Sequence, residues 1–426
     1  MIYNVTEYGI IGDGITNNTA KINELTKLAS QKGGVIYFPA GEYVTGTVFL
    51  YSNMTLHIDS GALLLGSDNH DDFPMIEVEG YTRGGHWGII SALDAENVAV
   101  IGNGKIDGRG YYWWKSGKSD LVRPRTVNFI KCKNVKIADI TIVNSPCWSI
   151  HPMCCENVTV RSVSIFNPYN SPNTDGVNPE SCKNVRISDC HIDVGDDCIT
   201  IKSGTEDDLL QKQFPCENII VSNCTLAHGH GGVVFGSEMS GGISNVTVSN
   251  CVFQNTDRGI RIKTRRMRGG YVKGLTVNNL IMENVIACVT INEYYSCGLY
   301  TTPKEILFDT GKQPVTELTP IVSDVRISGI IARDITGVGI YIYGLPELPI
   351  KNVSISDVQM QVKGSEKGVT AVAAPGNPKV FGEGIMIRNA EGISMSNISI
   401  SDCPSTKLFV ENSTHVTLNG EDISRS

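Results

Sequence analysis

No stretch of this 426-residue chain approaches the roughly 18 consecutive apolar residues of a membrane-spanning helix, so no membrane partner is expected. A charged start followed by an apolar core is also missing. Met1 leads directly into Tyr3-Asn4-Val5, which predicts a cytoplasmic protein. Cationic excess is absent: 36 Lys and Arg face 44 Asp and Glu, and the net charge of −8 argues against a nucleic-acid partner. There is no linker, charge block or low-complexity run to divide the chain. Aromatics make up only 7%. The adjacent pair Cys154-Cys155 lacks Cys-x-x-Cys spacing, so neither a metal site nor a cofactor is assigned.

What the chain does have is a repeat. An Asn or a near equivalent precedes an alternating apolar run at Asn97-Val98, Asn134-Val135, Asn157-Val158, Asn184-Val185, Asn218-Ile219, Asn245-Val246, Gly274-Leu275, Asp324-Val325, Asn352-Val353, Gly392-Ile393 and His415-Val416. The apolar members are 23 residues apart at closest (Val135 to Val158), with one gap of 50 (Leu275 to Val325). That spacing fits one supersecondary unit per repeat with loop insertions. Period-two runs such as Val135-Lys136-Ile137 read as strands with one face inward. Together with 44 glycines, they predict an all-β protein, a right-handed parallel β-helix forming one domain over residues 1–426. An N-terminal capping helix is expected over about 17–30, with Ile22, Leu25, Leu28 and Ala29 on its apolar side. The 13 cysteines are odd in number, and those two residues before the repeat Asn (Cys132, Cys155, Cys182, Cys216) read as a column of small buried hydrophobes.

Four strands align on one small-apolar-x-apolar core: Asp175-Gly176-Val177-Asn178, Asp197-Cys198-Ile199-Thr200-Ile201-Lys202, Gly231-Gly232-Val233-Val234-Phe235 and Arg258-Gly259-Ile260-Arg261-Ile262-Lys263. With Val177, Ile199, Val233 and Ile260 inward, Asp175 and Asp197 share a column, and Asp196 and His230 share the one before it. The same register takes in Ile150-His151 upstream and Val289-Thr290-Ile291-Asn292 downstream. Neighbouring coils lie about 4.8 Å apart, so three carboxylates would crowd together, and crowding like charges favours holding one proton near neutral pH. Glycosidic cleavage by two carboxylates needs one protonated and one ionised group. Taken singly, Asp-Gly is an ordinary turn signal and alternating Arg261 and Lys263 an ordinary solvated face. Their shared register points to a site, with Lys202, Arg258, Arg265, Arg266 and Arg268 adding to a basic patch suited to acidic sugars.

Asn173-Thr174-Asp175, Gly195-Asp196-Asp197, Gly229-His230-Gly231 and Arg261-Ile262-Lys263 resemble, in order and approximate spacing, the polygalacturonase-type glycoside hydrolases of family 28. The resemblance implies metal-independent hydrolysis of α-1,4-linked galacturonide with inversion, on pectic oligosaccharide or polygalacturonate. It casts Asp196 as general acid, Asp175 and Asp197 as the pair that activates water, His230 as support for protonation, and Arg261 and Lys263 as holders of substrate carboxylates. Inversion by two carboxylates ordinarily separates them by about 6.5–9.5 Å. Gly231 to Gly242 and Arg268-Gly269-Gly270-Tyr271 are similar to bacterial exo-acting members. Insertions at 111–125 and 294–319 are expected to close one end of the groove, with His151, Asn173, Glu238 and Tyr271 as further substrate contacts. Rhamnogalacturonan or another decorated pectin is the alternative substrate; a calcium-dependent pectate lyase and a non-catalytic carbohydrate-binding β-helix are the rival classes.

Overall fold

A computed structural model describes residues 1–114, 122–298 and 302–424. Two compact units divide them: Met1–Cys198 with Asp208–Phe214, and Ile199–Asp207 with Pro215–Ser426. Both are built from the coils of a right-handed parallel β-helix.

In the first unit, Glu96–Ile101, Lys133–Ala138, Glu156–Arg161 and Lys183–Ser188 stack in parallel, with Val98, Val135, Val158 and Val185 in one register column. Those valines and the apolar residue two places on are buried, while the residues between them are not, as period-two alternation requires. A second ladder comprises Val48–Leu50, Ile90–Leu93, Val127–Ile130 and Ile150–Met153, continued by bridges from Ile150 to Val177 and from Met153 to Glu180.

The second unit repeats the scheme with longer strands. Ile243–Gln254, Tyr271–Glu283, Ile321–Ile335, Ile350–Val362 and Ala390–Ser401 run parallel, aligning Val246, Leu275, Val325, Val353 and Ile393. A second ladder takes in Ile199–Ile201, Val233–Gly236, Arg258–Lys263, Ala287–Asn292, Val338–Tyr343 and Glu383–Arg388.

The repeat Asn has a backbone cause. Asn97, Asn134, Asn157, Asn184, Asn218, Asn245, Asp324, Asn352 and His415 all adopt φ between 52° and 59°, and Gly274 and Gly392 take 68° and 70°. Left-handed backbone is costly for most residues and open to Gly, Asn, Asp and His, which is the set found at this position. The asparagine side chains also hold one another: Nδ2 of Asn97, Asn134, Asn157 and Asn184 donates to Oδ1 of Asn53, Asn97, Asn134 and Asn157 at 2.8, 3.0, 3.1 and 3.1 Å. Behind this ladder runs the cysteine column, where the Cys132 and Cys155 amides donate to the Sγ atoms of Cys155 and Cys182 at 3.3 and 3.4 Å.

The N-terminal helix spans Thr19–Ser30. Asn17 Oδ1 accepts the Thr19 amide at 2.9 Å, and Ile22, Leu25 and Ala29 are buried. Leu28 is 49% exposed, correcting its placement on the apolar side; Thr26 takes the buried position in its stead. Asn23 Nδ2 donates to the Thr47 carbonyl and its Oδ1 accepts the Phe49 amide, tying the helix to Val48–Leu50.

Candidate active site

Asp175 and Asp197 are brought together by backbone pairing. The Ser149 and Ile150 amides donate to the carbonyls of Asp175 and Gly176, and the Gly176 and Val177 amides donate to those of Asp197 and Cys198. The two aspartates therefore occupy successive rungs, as the aligned cores predict. A β-carbon on Gly176 would lie 2.4 Å from the Cys198 carbonyl oxygen, and one on Gly195 would lie 2.5 Å from that of Ser171. Only glycine allows these rungs to approach so closely.

Asp175, Asp196 and Asp197 each offer a carboxylate oxygen within 4.8 Å of the others. Their surroundings differ. Asp175 and Asp197 are buried, at 3% and 1% exposure, while Asp196 is half-buried. Asn178 Nδ2 donates to Asp175 Oδ2 at 3.0 Å, and Asp196 Oδ1 accepts the Asp197 amide at 2.9 Å. The trio is tighter than the 6.5–9.5 Å separation usual for inversion. It is also compact enough to hold a divalent cation.

The loop before Asp175 is fixed by a residue that sequence reading placed only within an insertion. Arg123, buried at 2%, donates to the carbonyls of Pro146 and Pro172 at 2.8 and 2.6 Å and to Asn173 Oδ1 at 2.7 Å. Asn173, in the left-handed region at φ 53°, thus has its side-chain oxygen engaged from within the protein. In the same insertion, residues 115–121 lie outside the described residues, as do 299–301 of the second insertion.

His151 is buried at 2%, and its Nε2 meets Glu180 Oε2 at 2.9 Å. Arg83 Nη2 spans the Glu180 and Asp208 carboxylates at 2.8 and 2.7 Å. Burial lowers the His151 pKa to about 4, with Arg125 and Arg83 acting the same way and Glu180 opposing them. The imidazole is therefore neutral at pH 7.

The remaining site candidates belong to the second unit. Lys202 Nζ pairs with Glu238 Oε2 at 2.9 Å. Arg261 and Lys263 stand in register with Val234 and Gly236 on one side and with Thr290 and Asn292 on the other. Both cations lie over the Tyr295 ring, at 5.6 and 5.1 Å, a contact that sequence reading missed because Tyr295 falls inside an insertion without a strand pattern. Tyr271 packs on Gly242 and carries the Lys273 ammonium 4.4 Å from its ring centre. His230 is exposed. Four arginines of the expected basic patch are instead buried and engaged. Arg265 and Arg268 both clamp Glu206, Arg266 clamps Glu347, and Arg258 donates to the carbonyls of Thr370 and Ala371.

Residues 75–379 match the model of glycosyl hydrolases family 28, and residues 2–98 match one described as rhamnogalacturonase A/epimerase, pectate lyase-like. The chain belongs to glycosyl hydrolases family 28. Among curated relatives, a probable polygalacturonase of Vitis vinifera is 32% identical over 381 residues, covering 86% of this chain and 75% of its own. An exo-poly-alpha-D-galacturonosidase of Dickeya chrysanthemi is 31% identical, with coverage of 67% and 55%. Among solved structures, the exopolygalacturonase of Thermotoga maritima superposes with a TM-score of 0.79 at 28% identity, over 94% of this chain and 91% of its own. This family 28 chain is accordingly a glycoside hydrolase.

Proposed function

We propose that this protein hydrolyses α-1,4-linked galacturonic acid in pectic oligosaccharides, releasing single residues from a chain end by an inverting, metal-independent mechanism. The observation that carries the reading is the trio of aspartates with one oxygen each inside 4.8 Å, in a family 28 chain. Similarity to the Dickeya and Thermotoga proteins supports exo action.

Asp196, the most exposed of the three, delivers its proton to the glycosidic oxygen. Asp175 and Asp197 orient and deprotonate one water. Two hydrogen bonds of about 2.7 Å from one tetrahedral water reach oxygens about 4.4 Å apart, so the close spacing suits a shared water although it is short for an acid and base facing each other across the bond. His230 supports protonation, and Arg261 and Lys263 supply charge for substrate carboxylates.

Chromatography of the products from polygalacturonate and defined oligomers tests exo action: monomer alone is expected, and a ladder of oligomers overturns it. Proton NMR of the first product formed tests inversion, with the β-anomer expected; initial α-anomer would make one aspartate a nucleophile instead. Because the trio also suits a cation, the calcium-dependent lyase remains the second reading. Activity that survives EDTA and yields no ultraviolet-absorbing unsaturated product removes it.

A further inference from the structure

Asn167 follows the strand Ser164–Phe166, and its amide continues the pairing by donating to the Asp193 carbonyl at 2.8 Å. Asp193 leads through Val194 and Gly195 into the Asp196-Asp197 corner. In the other direction Asn167 opens the loop that ends at Asp175, and its side chain reaches across to the far end of that loop. There Nδ2 donates to the Thr174 carbonyl at 3.0 Å. The same nitrogen donates to Ser149 Oγ at 3.0 Å, while Oδ1 accepts the Ser145 amide at 2.8 Å. Two of these partners adjoin Asp175: Thr174 precedes it in the chain, and Ser149 donates its amide to the Asp175 carbonyl at 2.8 Å.

The stapled loop also touches the neighbouring rung. Ser171 Oγ donates to the Pro168 carbonyl at 2.6 Å and lies 2.5 Å from Thr174 Oγ1. A β-carbon on Gly195 would fall 2.5 and 2.6 Å from the carbonyl oxygens of Ser171 and Pro168, so the chain entering Asp196 rests directly on this loop. Behind it, the hydroxyls of Thr126, Ser145 and Ser149 form a chain at 2.9 and 2.8 Å that ends on Asn167. All six side chains, from Thr126 to Thr174, are at most 5% exposed. A buried polar network whose members are all bonded holds one arrangement. At position 167 it requires two donors and one acceptor in a plane on a short stem. Asparagine supplies them; an ionised aspartate lacks the donors and glutamine is a methylene longer.

We propose that Asn167 is a positioning residue for hydrolysis: by tying Thr174 and Ser149 to the rung of Asp193, it fixes Asp175 against Asp196 and Asp197 and so places the water that the trio activates. It acts through the loop and not on the sugar. This rests on the reading of the protein as a galacturonan hydrolase and names what holds its aspartates at working distance. A misplacement of about 1 Å in such a site costs about a hundredfold in rate.

The test is initial-rate kinetics of the full chain on trigalacturonate, at a temperature where circular dichroism shows every variant folded. Asn167→Ala should lower kcat at least about thirtyfold and change KM less than about threefold, because the loss is in placing water and not in holding sugar. Ile165→Ala is the control: Ile165 is buried two residues away and takes no part in the staple. Its urea midpoint should fall at least as far as that of Asn167→Ala while kcat stays within about threefold. Asn167→Asp keeps an oxygen for the Ser145 amide and can donate to Thr174 only while protonated, so its kcat relative to the unmodified protein should rise at least about fivefold from about pH 8 to about pH 5. A relative kcat equally low at both pH values overturns the staple. So does a raised KM at constant kcat in Asn167→Ala, the behaviour of a sugar contact, or an equal kcat loss in Ile165→Ala, the behaviour of general destabilisation. If the unmodified protein cleaves trigalacturonate and Asn167→Ala matches its kcat, the positioning role alone fails; if the unmodified protein does not cleave it, both readings fail.

Discussion

Replacing Asp196 with asparagine removes one proton and almost no volume, so it separates chemistry from binding. Turnover is expected to fall at least a thousandfold, with oligogalacturonide affinity by calorimetry changed less than about threefold. Preserved turnover would move the acid elsewhere. Lys263→Ala should instead act through KM, raising it about tenfold with kcat nearly constant, if the ammonium binds ground and transition states equally; initial-rate kinetics on trigalacturonate separate the two parameters. The carboxylates were legible in the sequence because Asp175 and Asp197 precede inward valine and isoleucine residues by the same two places, and coil stacking turns equal offsets into proximity. The arginines were less so. Arg261 and Arg265 both looked like groove cations, but Arg265 is 0% exposed against Glu206, and nothing in its local pattern announces a partner 59 residues away. Arg123 was hidden for the same reason, since its acceptors on Pro146, Pro172 and Asn173 lie 23, 49 and 50 residues further along the chain.

At the scale of the coil, each turn depends on a left-handed residue that also serves as a rung in a hydrogen-bonded ladder. Asn157 has φ 57°, donates to Asn134 and accepts from Asn184. Asn157→Ala should destabilise by about 2 kcal/mol, from left-handed strain of roughly 1–2 kcal/mol and the loss of two exposed hydrogen bonds. Asn157→Gly relieves the strain while losing the same bonds, so it should recover at least half of that cost. Urea midpoints followed by tryptophan fluorescence measure both, since Trp87, Trp113, Trp114 and Trp148 all lie in the first unit. Equal midpoints for the alanine and glycine variants would show that the ladder, not the backbone, selects asparagine. The Asn-Val-x-Ile pattern exposed this architecture in the sequence because turn and strand recur together. Leu28 was misplaced because helical periodicity alone does not say how wide the covered face is, and Asn23 anchors the helix along a line that leaves Leu28 in solvent.

For the whole molecule, net charge describes pH behaviour less well than two buried groups, one in each unit. Burial, with Glu347 nearby, raises Glu293 to about 8, its Oε2 accepting the Leu345 amide and its Oε1 without a partner among the described residues. An acid whose folded pKa exceeds its unfolded value of about 4.5 holds its proton only when folded between those limits, so stability of the second unit falls as pH rises from about 4.5 to about 8. His151 acts oppositely in the first unit. Its folded pKa of about 4 lies below the unfolded 6.5, so the unfolded chain takes up the proton first and stability falls as pH drops from about 6.5 to about 4. Each slope is at most about 1.4 kcal/mol per pH unit. Tryptophan fluorescence follows the first unit, and far-ultraviolet circular dichroism adds the second. Glu293→Gln, which keeps the amide acceptor and cannot ionise, should flatten the loss between pH 6.5 and 8 in the dichroism transition while leaving the fluorescence transition where it was. A dichroism midpoint that declines over that range as steeply in Glu293→Gln as in the unmodified protein would assign the alkaline sensitivity to another group and leave Glu293 ionised in its buried position.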